Sequence, residues 1–172
     1  LDTPLSVYLK LADGPHTFEV RACDAVPNCD ATPAARAWTI DTTPPDTMIT
    51  MGPTGTVSDD DPSFSFVASP AGGTFQCRLD GAAPAPCTSP RSFTNVADGP
   101  HTFEVFACDP VGNCDASPAT SSWTIDTTPP ATTIDTGPTA GSTTNDNDPM
   151  FAFSANPAAG ATFECRLGTT GG

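Results

Sequence analysis

Apolar residues recur at every second position over several short stretches of the chain, with polar residues between them. In "HTFEVFAC", Phe103, Val105 and Ala107 fall on one side, while Thr102, Glu104 and the edge of Phe106 fall on the other. That period of two is the signature of a strand with one face buried. "SFSF" turns Phe64 and Phe66 inward and Ser63 and Ser65 outward. "TFQCRL" groups Phe75, Cys77 and Leu79, and "SWTID" groups Trp123 and Ile125. Turn-forming segments bound each run: "SDDDP", "SPAGG", "LDGAAP", "ADGP", "DPVGN" and "DTTPP". About seven short strands in roughly 85 residues predict an antiparallel sandwich. Trp38 and Trp123 belong to its core, each on an alternating strand beside an apolar neighbour.

The pattern occurs more than once. "LADGPHTFEVRACDAVPNCDATPA" at 11–34 returns as "VADGPHTFEVFACDPVGNCDASPA" at 96–119, and "AWTIDTTPPDT" at 37–47 returns as "SWTIDTTPPAT" at 122–132. The other half recurs too: "DPSFSF" at 61–66 as "DPMFAF" at 148–153, and "TFQCRL" at 74–79 as "TFECRL" at 162–167. With the "TTPP" joints as boundaries, residues 1–45 are the late strands of one repeat, 46–130 a complete repeat and 131–172 the early strands of another. Two consecutive prolines fix two backbone torsions and hold the preceding residue extended, so each joint is expected to be short and semi-rigid.

Composition narrows the function. Twenty Pro and 14 Gly favour short segments over long helices. Twenty Asp and Glu against six Lys and Arg give a net charge of −14. Such a charge repels phosphates and anionic lipid, so neither nucleic acid nor membrane insertion is expected. No apolar run approaches a spanning helix. With neither an initial Met nor a signal peptide, the sequence reads as mature, trimmed or partial. Seven cysteines at short spacings read as disulfides formed in an oxidising, extracellular setting. Cys77–Cys87 should staple a hairpin, and Cys23–Cys29 and Cys108–Cys114 the loop after each HTFEV strand, with Cys165 left unpaired. Loops this short contribute roughly 2–3 kcal/mol each in the chain-entropy account.

The series "FSFVAS", "GTFQCRLDG", "LADGPHTFEV", "ACDPVGNCD" and "SWTIDTTPP" resembles the bacterial immunoglobulin-like repeats found in tandem in large secreted or surface-attached proteins. The resemblance covers nearly the whole chain. It implies tandem immunoglobulin-like β-sandwiches that extend a stalk, adhesin or fibre, without a reaction. The cysteine pair of "CDPVGNCD" departs from the commoner form of these repeats and reads as added stabilisation.

Candidate chemistry is sparse. His16 and His101 share one repeat position at a strand start, and no third His is present for a metal site. Glu19 and Glu104 lie on outward faces. Neither a GxSxG elbow nor a glycine-rich phosphate cradle occurs. Calcium is the stronger possibility, because it takes six to eight hard oxygens. Acid-rich turns offer Asp59, Asp60 and Asp61, then Asp146 and Asp148, with Asp41 and Asp126 at the joints. The expectation preferred over calcium is that these turns are solvated and discourage edge-to-edge pairing. The function expected is a structural module joined head to tail with neighbouring copies or repeats in an extracellular filament, stalk or adhesin. The alternative is a carbohydrate- or protein-binding ancillary domain of a secreted enzyme, which would need several exposed aromatic residues on one face.

The tail and head also add up to about one module if Gly172 is followed by Leu1 of another copy. A window cut from a longer array and a set of subunits lending late strands to their neighbours both fit this arithmetic. The window is preferred, because long arrays are what the resemblance implies.

Overall fold

A computed structural model of the chain describes residues 6–26, 28–158 and 160–168. The expected Gly172–Leu1 junction lies outside the described residues. The protein is all-β, and its described residues hold twelve strands: β1 (Gly14–Val20), β2 (Ala34–Ile40), β3 (Asp46–Met51), β4 (Gly55–Val57), β5 (Ser63–Ser69), β6 (Thr74–Leu79), β7 (Ala85–Cys87), β8 (Arg91–Ser92), β9 (Gly99–Cys108), β10 (Ala119–Ile125), β11 (Ala131–Thr136) and β12 (Ala152–Asn156). The chain divides into two compact units, one running to Asp126 and the other starting at Thr127.

In the first unit, β3 to β10 form two sheets with orders β4-β10-β9-β6-β7 and β3-β5-β8. The alternation seen in the sequence determines what lies between them. Phe64 and Phe66 of β5 meet Cys77 of β6, Phe103 and Val105 of β9, and Trp123 and Ile125 of β10 in one buried cluster. Phe64 stacks on Phe103 with centroids 4.2 Å apart, and its ring lies 5.0 Å from that of Trp123. Gly52 is required by this packing, since a Cβ there would fall 2.6 Å from Cδ1 of Phe64.

One pairing departs from the antiparallel expectation. β4 runs parallel to β10, with Trp123 opposite Gly55 and Ile125 opposite Val57. Residues 52–54 connect β3 in one sheet to β4 in the other. A single edge strand can therefore be shared between layers.

Three disulfides join Cys23 to Cys29, Cys77 to Cys87 and Cys108 to Cys114, and Cys165 is an exposed free thiol. This set suggests a non-reducing, extracellular environment, and no helix of the described residues is long and apolar enough to cross a membrane.

Strand registers recur along the chain. β1 and β2 pair from Gly14↔Ile40 to Val20↔Ala34, and β9 and β10 from Gly99↔Ile125 to Val105↔Ala119. In the second unit, β11 and β12 pair Ala131↔Asn156 and Ile134↔Phe153, with a register shift before Thr136. β3 and β5 pair Asp46↔Ser69 and Ile49↔Phe66, with the same shift before Met51.

Candidate functional site

A densely hydrogen-bonded polar region is the joint between the β1–β2 hairpin and the sandwich, with the cysteine loop beside it. After β9 the chain turns within the Cys108–Cys114 loop, which Asp109 organises. Its Oδ1 accepts the backbone N–H groups of Val111, Gly112 and Asn113 at 3.0, 2.7 and 2.8 Å. Its Oδ2 accepts the Asn113 side-chain amide at 2.8 Å. Burial by itself would raise the Asp109 pKa, but the hydrogen bonds, led by those from Asn113, outweigh it and hold the carboxyl below its ordinary value. Asp24 makes the corresponding bonds to Val26 and Asn28 in the Cys23–Cys29 loop. Asn113 also donates to the carbonyl of Asp41 at 3.0 Å, which ties the loop to the joint.

The joint is held from both sides. Asp13, in the turn before β1, accepts the Thr42 N–H, the Thr42 hydroxyl and the Thr43 hydroxyl at 3.0, 2.7 and 2.7 Å. Bonds from Thr42, then Thr43, lower its pKa. Past Pro44 and Pro45 the chain enters β3, where Thr47 is buried together with Asp115. The Thr47 N–H donates to Asp115 Oδ2 at 3.0 Å, and its hydroxyl oxygen accepts the Ala107 N–H at 2.9 Å. Asp115 Oδ1 takes the N–H and the hydroxyl of Ser117, both at 2.8 Å. The proline-stiffened segment is thus clamped at Asp13 on the hairpin side and at Asp115 on the sandwich side. None of these carboxylates stood out among the sequence candidates. The available signal was the recurrence of Asp24 and Asp109, each four residues before an Asn inside a cysteine loop.

The candidate calcium residues are spread over separate turns. Asp59 Oδ1 accepts the N–H of Asp61, Asp61 Oδ1 accepts that of Asn95, and the carbonyl of Asp60 accepts that of Val96. Asp146 Oδ1 accepts the N–H of Asp148, and the Asp126 N–H donates to the carbonyl of Val57. In these turns the acids shape their own loops. Among the described residues, no three His, Cys, Asp or Glu side chains gather as metal ligands.

His101 is bonded through both ring nitrogens, Nδ1 to Asp80 Oδ2 at 2.8 Å and Nε2 to the carbonyl of Ala97 at 2.7 Å. With an acceptor at each nitrogen the imidazolium is favoured. Asp80 above all raises the His101 pKa, against a smaller opposing effect of burial. The resulting stability is fully present below the unfolded histidine pKa of about 6.5 and is lost as pH rises through the higher folded value. In thermal unfolding, the deficit of His101→Gln relative to wild type is therefore expected to be largest in mild acid and to shrink as the pH is raised past neutrality.

Among the described residues, two apolar faces stand exposed. On the hairpin, Val20 and Trp38 are 53% and 37% exposed, whereas Val105 and Trp123 at the matching positions of β9 and β10 are 0% and 4% exposed. In the second unit an open trough of about 570 Å³ is lined by Thr132, Ile134, Phe151, Phe153, Phe163 and Leu167, with Glu164 and Arg166 at its side. No protein-family model matches the chain, and no curated protein matches it.

Proposed function

We propose that the chain is a structural, non-enzymatic segment of a secreted or cell-surface filament, stalk or adhesin, built from tandem immunoglobulin-like sandwiches joined head to tail. The single observation that carries the reading is the recurrence of pairing register. β1–β2 repeats β9–β10, and β11–β12 repeats β3–β5, down to the position of the bulge. The strand orders β3-β5-β8 and β4-β10-β9-β6-β7 support the immunoglobulin-like assignment. The clamped joint supports a stiff connection, and arrays of this kind draw their stability from module and neighbour terms together. No cofactor is needed in this reading, and the acidic turns keep the surface solvated.

Electron microscopy of the native material, combined with intact-mass analysis, tests it. Thin unbranched rods or filaments with a regular repeat are expected. Discrete globular particles that bind a saccharide or a protein ligand at saturation would overturn the reading in favour of an ancillary binding domain.

A further inference from the structure

The sandwich of residues 46–126 shows what covers its own early strands, and thereby what would cover the trough. In it, Phe64 and Phe66 of β5 are closed over by Phe103 and Val105 of β9 and by Trp123 of β10, with Cys77 of β6 beside Val105 in the same sheet. Phe151, Phe153 and Cys165 occupy the matching places in the second unit, and Phe18, Val20 and Trp38 those on the hairpin. A Cβ on Gly137 would fall 2.7 Å from Cδ1 of Phe151, much as one on Gly52 would from Phe64, so each ring lies against the matching glycine. In the sandwich, β9 has β10 on one edge and β6 on the other. Among the described residues β1 pairs only with β2, and no strand lies along its second edge.

Resting on the repeat reading, we propose that the β1–β2 hairpin of a second copy of this chain docks on the trough of residues 131–167, with its free β1 edge pairing antiparallel to residues 162–167. β6 and β9 set Arg78 opposite Glu104 and Gln76 opposite Phe106. The same register sets Arg166 opposite Glu19 of the second copy and Glu164 opposite its Arg21. The first pair repeats the two-bond contact in which Arg78 donates to Glu104 at 2.6 and 2.7 Å. The second is particular to the junction. Where the complete sandwich has a glutamine and a phenylalanine, the two free edges carry opposite charges, a favourable cross-strand pair.

A third contact follows from the joint. Thr132 stands in the place of Thr47, and Asp30 in that of Asp115. Asp30 Oδ1 takes the N–H and hydroxyl of Thr32, as Asp115 Oδ1 takes those of Ser117. Its Oδ2 then accepts the Thr132 N–H of the neighbour. The composite module also lacks two contacts of the complete one. Gly168 stands where Asp80 meets His101, so His16 gains no carboxylate, and Cys165 gains no disulfide partner from the hairpin.

Sedimentation of the full chain over a concentration series tests the docking, with Cys165→Ser in every variant to exclude cross-linking. The expected result is association in steps of one chain mass. R21E and E164R should each weaken it about tenfold, and R21E combined with E164R should return it to within about threefold of the parent. V20D and F153D should each stay monomeric, yet a mixture of the two should form a heterodimer and stop there, since each retains one intact face. A parent chain that is monomeric at every concentration, including one whose hairpin covers its own trough, would overturn the proposal. So would a double charge reversal as weak as the single ones. A monomeric chain alongside filamentous native material would sink the docking and leave the structural function standing. Globular native material with an associating chain would do the reverse.

Discussion

Replacing Phe64 by alanine is expected to destabilise the sandwich of residues 46–126 by about 3–5 kcal/mol, lowering its melting temperature by roughly 15–30 °C for a unit of this size. Phe64 is fully buried, stacked on Phe103, tilted against Trp123 and edge-on to Phe93. The ring is also held by Gly52, and the disulfide-anchored Cys77 belongs to the same cluster. The cavity therefore cannot collapse cheaply, and the cost should lie towards the upper part of that range. Phe151 is the chemical counterpart, but it is half exposed in the chain by itself. Phe151→Ala should accordingly cost less than about 1 kcal/mol in dilute solution. Scanning calorimetry of the two variants checks the contrast. Equal losses would mean that the two phenylalanines occupy equivalent environments, contrary to the packing described.

Asp115→Ala is expected to cost about 2–4 kcal/mol at neutral pH, because it strips a buried acceptor from the Thr47 N–H and from both donors of Ser117. The effect should depend on pH with a definite sign. Burial pushes the Asp115 pKa up, but the bonds from Ser117 and then Thr47 outweigh it, leaving the carboxyl below its ordinary value. A depressed folded pKa gives stability that is present above the unfolded carboxylate range, near 4, and is lost as pH falls through the folded value. The gap between wild type and D115A in denaturant unfolding should thus be full at pH 7 and narrow in strong acid. A gap that is unchanged at low pH would show that the carboxylate charge contributes nothing.

The longer strands and the core of the 46–126 sandwich are legible in the sequence because each depends on local alternation, whereas Trp38, expected in a core by the same alternation, is 37% exposed on the hairpin. A period of two, interrupted by Gly, Pro and Asp, places Phe64, Phe103, Trp123 and their neighbours without reference to distant residues. The parallel β4–β10 pair was not legible, since a three-residue strand carries no period and its partner lies about 70 residues away. The Asp115–Thr47 clamp was hidden for the same reason, its partners being 68 residues apart. The acidic turns drew attention because aspartates cluster there, yet the aspartates that organise the joint and the cysteine loops, Asp13, Asp109 and Asp115, stand singly. What marks them is recurrence beside particular partners, such as the Asn four residues after Asp24 and after Asp109. Charge density along the chain does not show it.

Amide hydrogen exchange on the assembled chain tests most directly the claim that every described stretch belongs to one repeated sandwich. A free two-stranded hairpin is marginal in water, so the amides of β1, β2, β11 and β12 should exchange quickly in dilute solution. Under associating conditions they should slow towards the protection of β5 and β9. Fast exchange of the hairpin and the trough at every concentration, with protection confined to residues 46–126, would contradict the account.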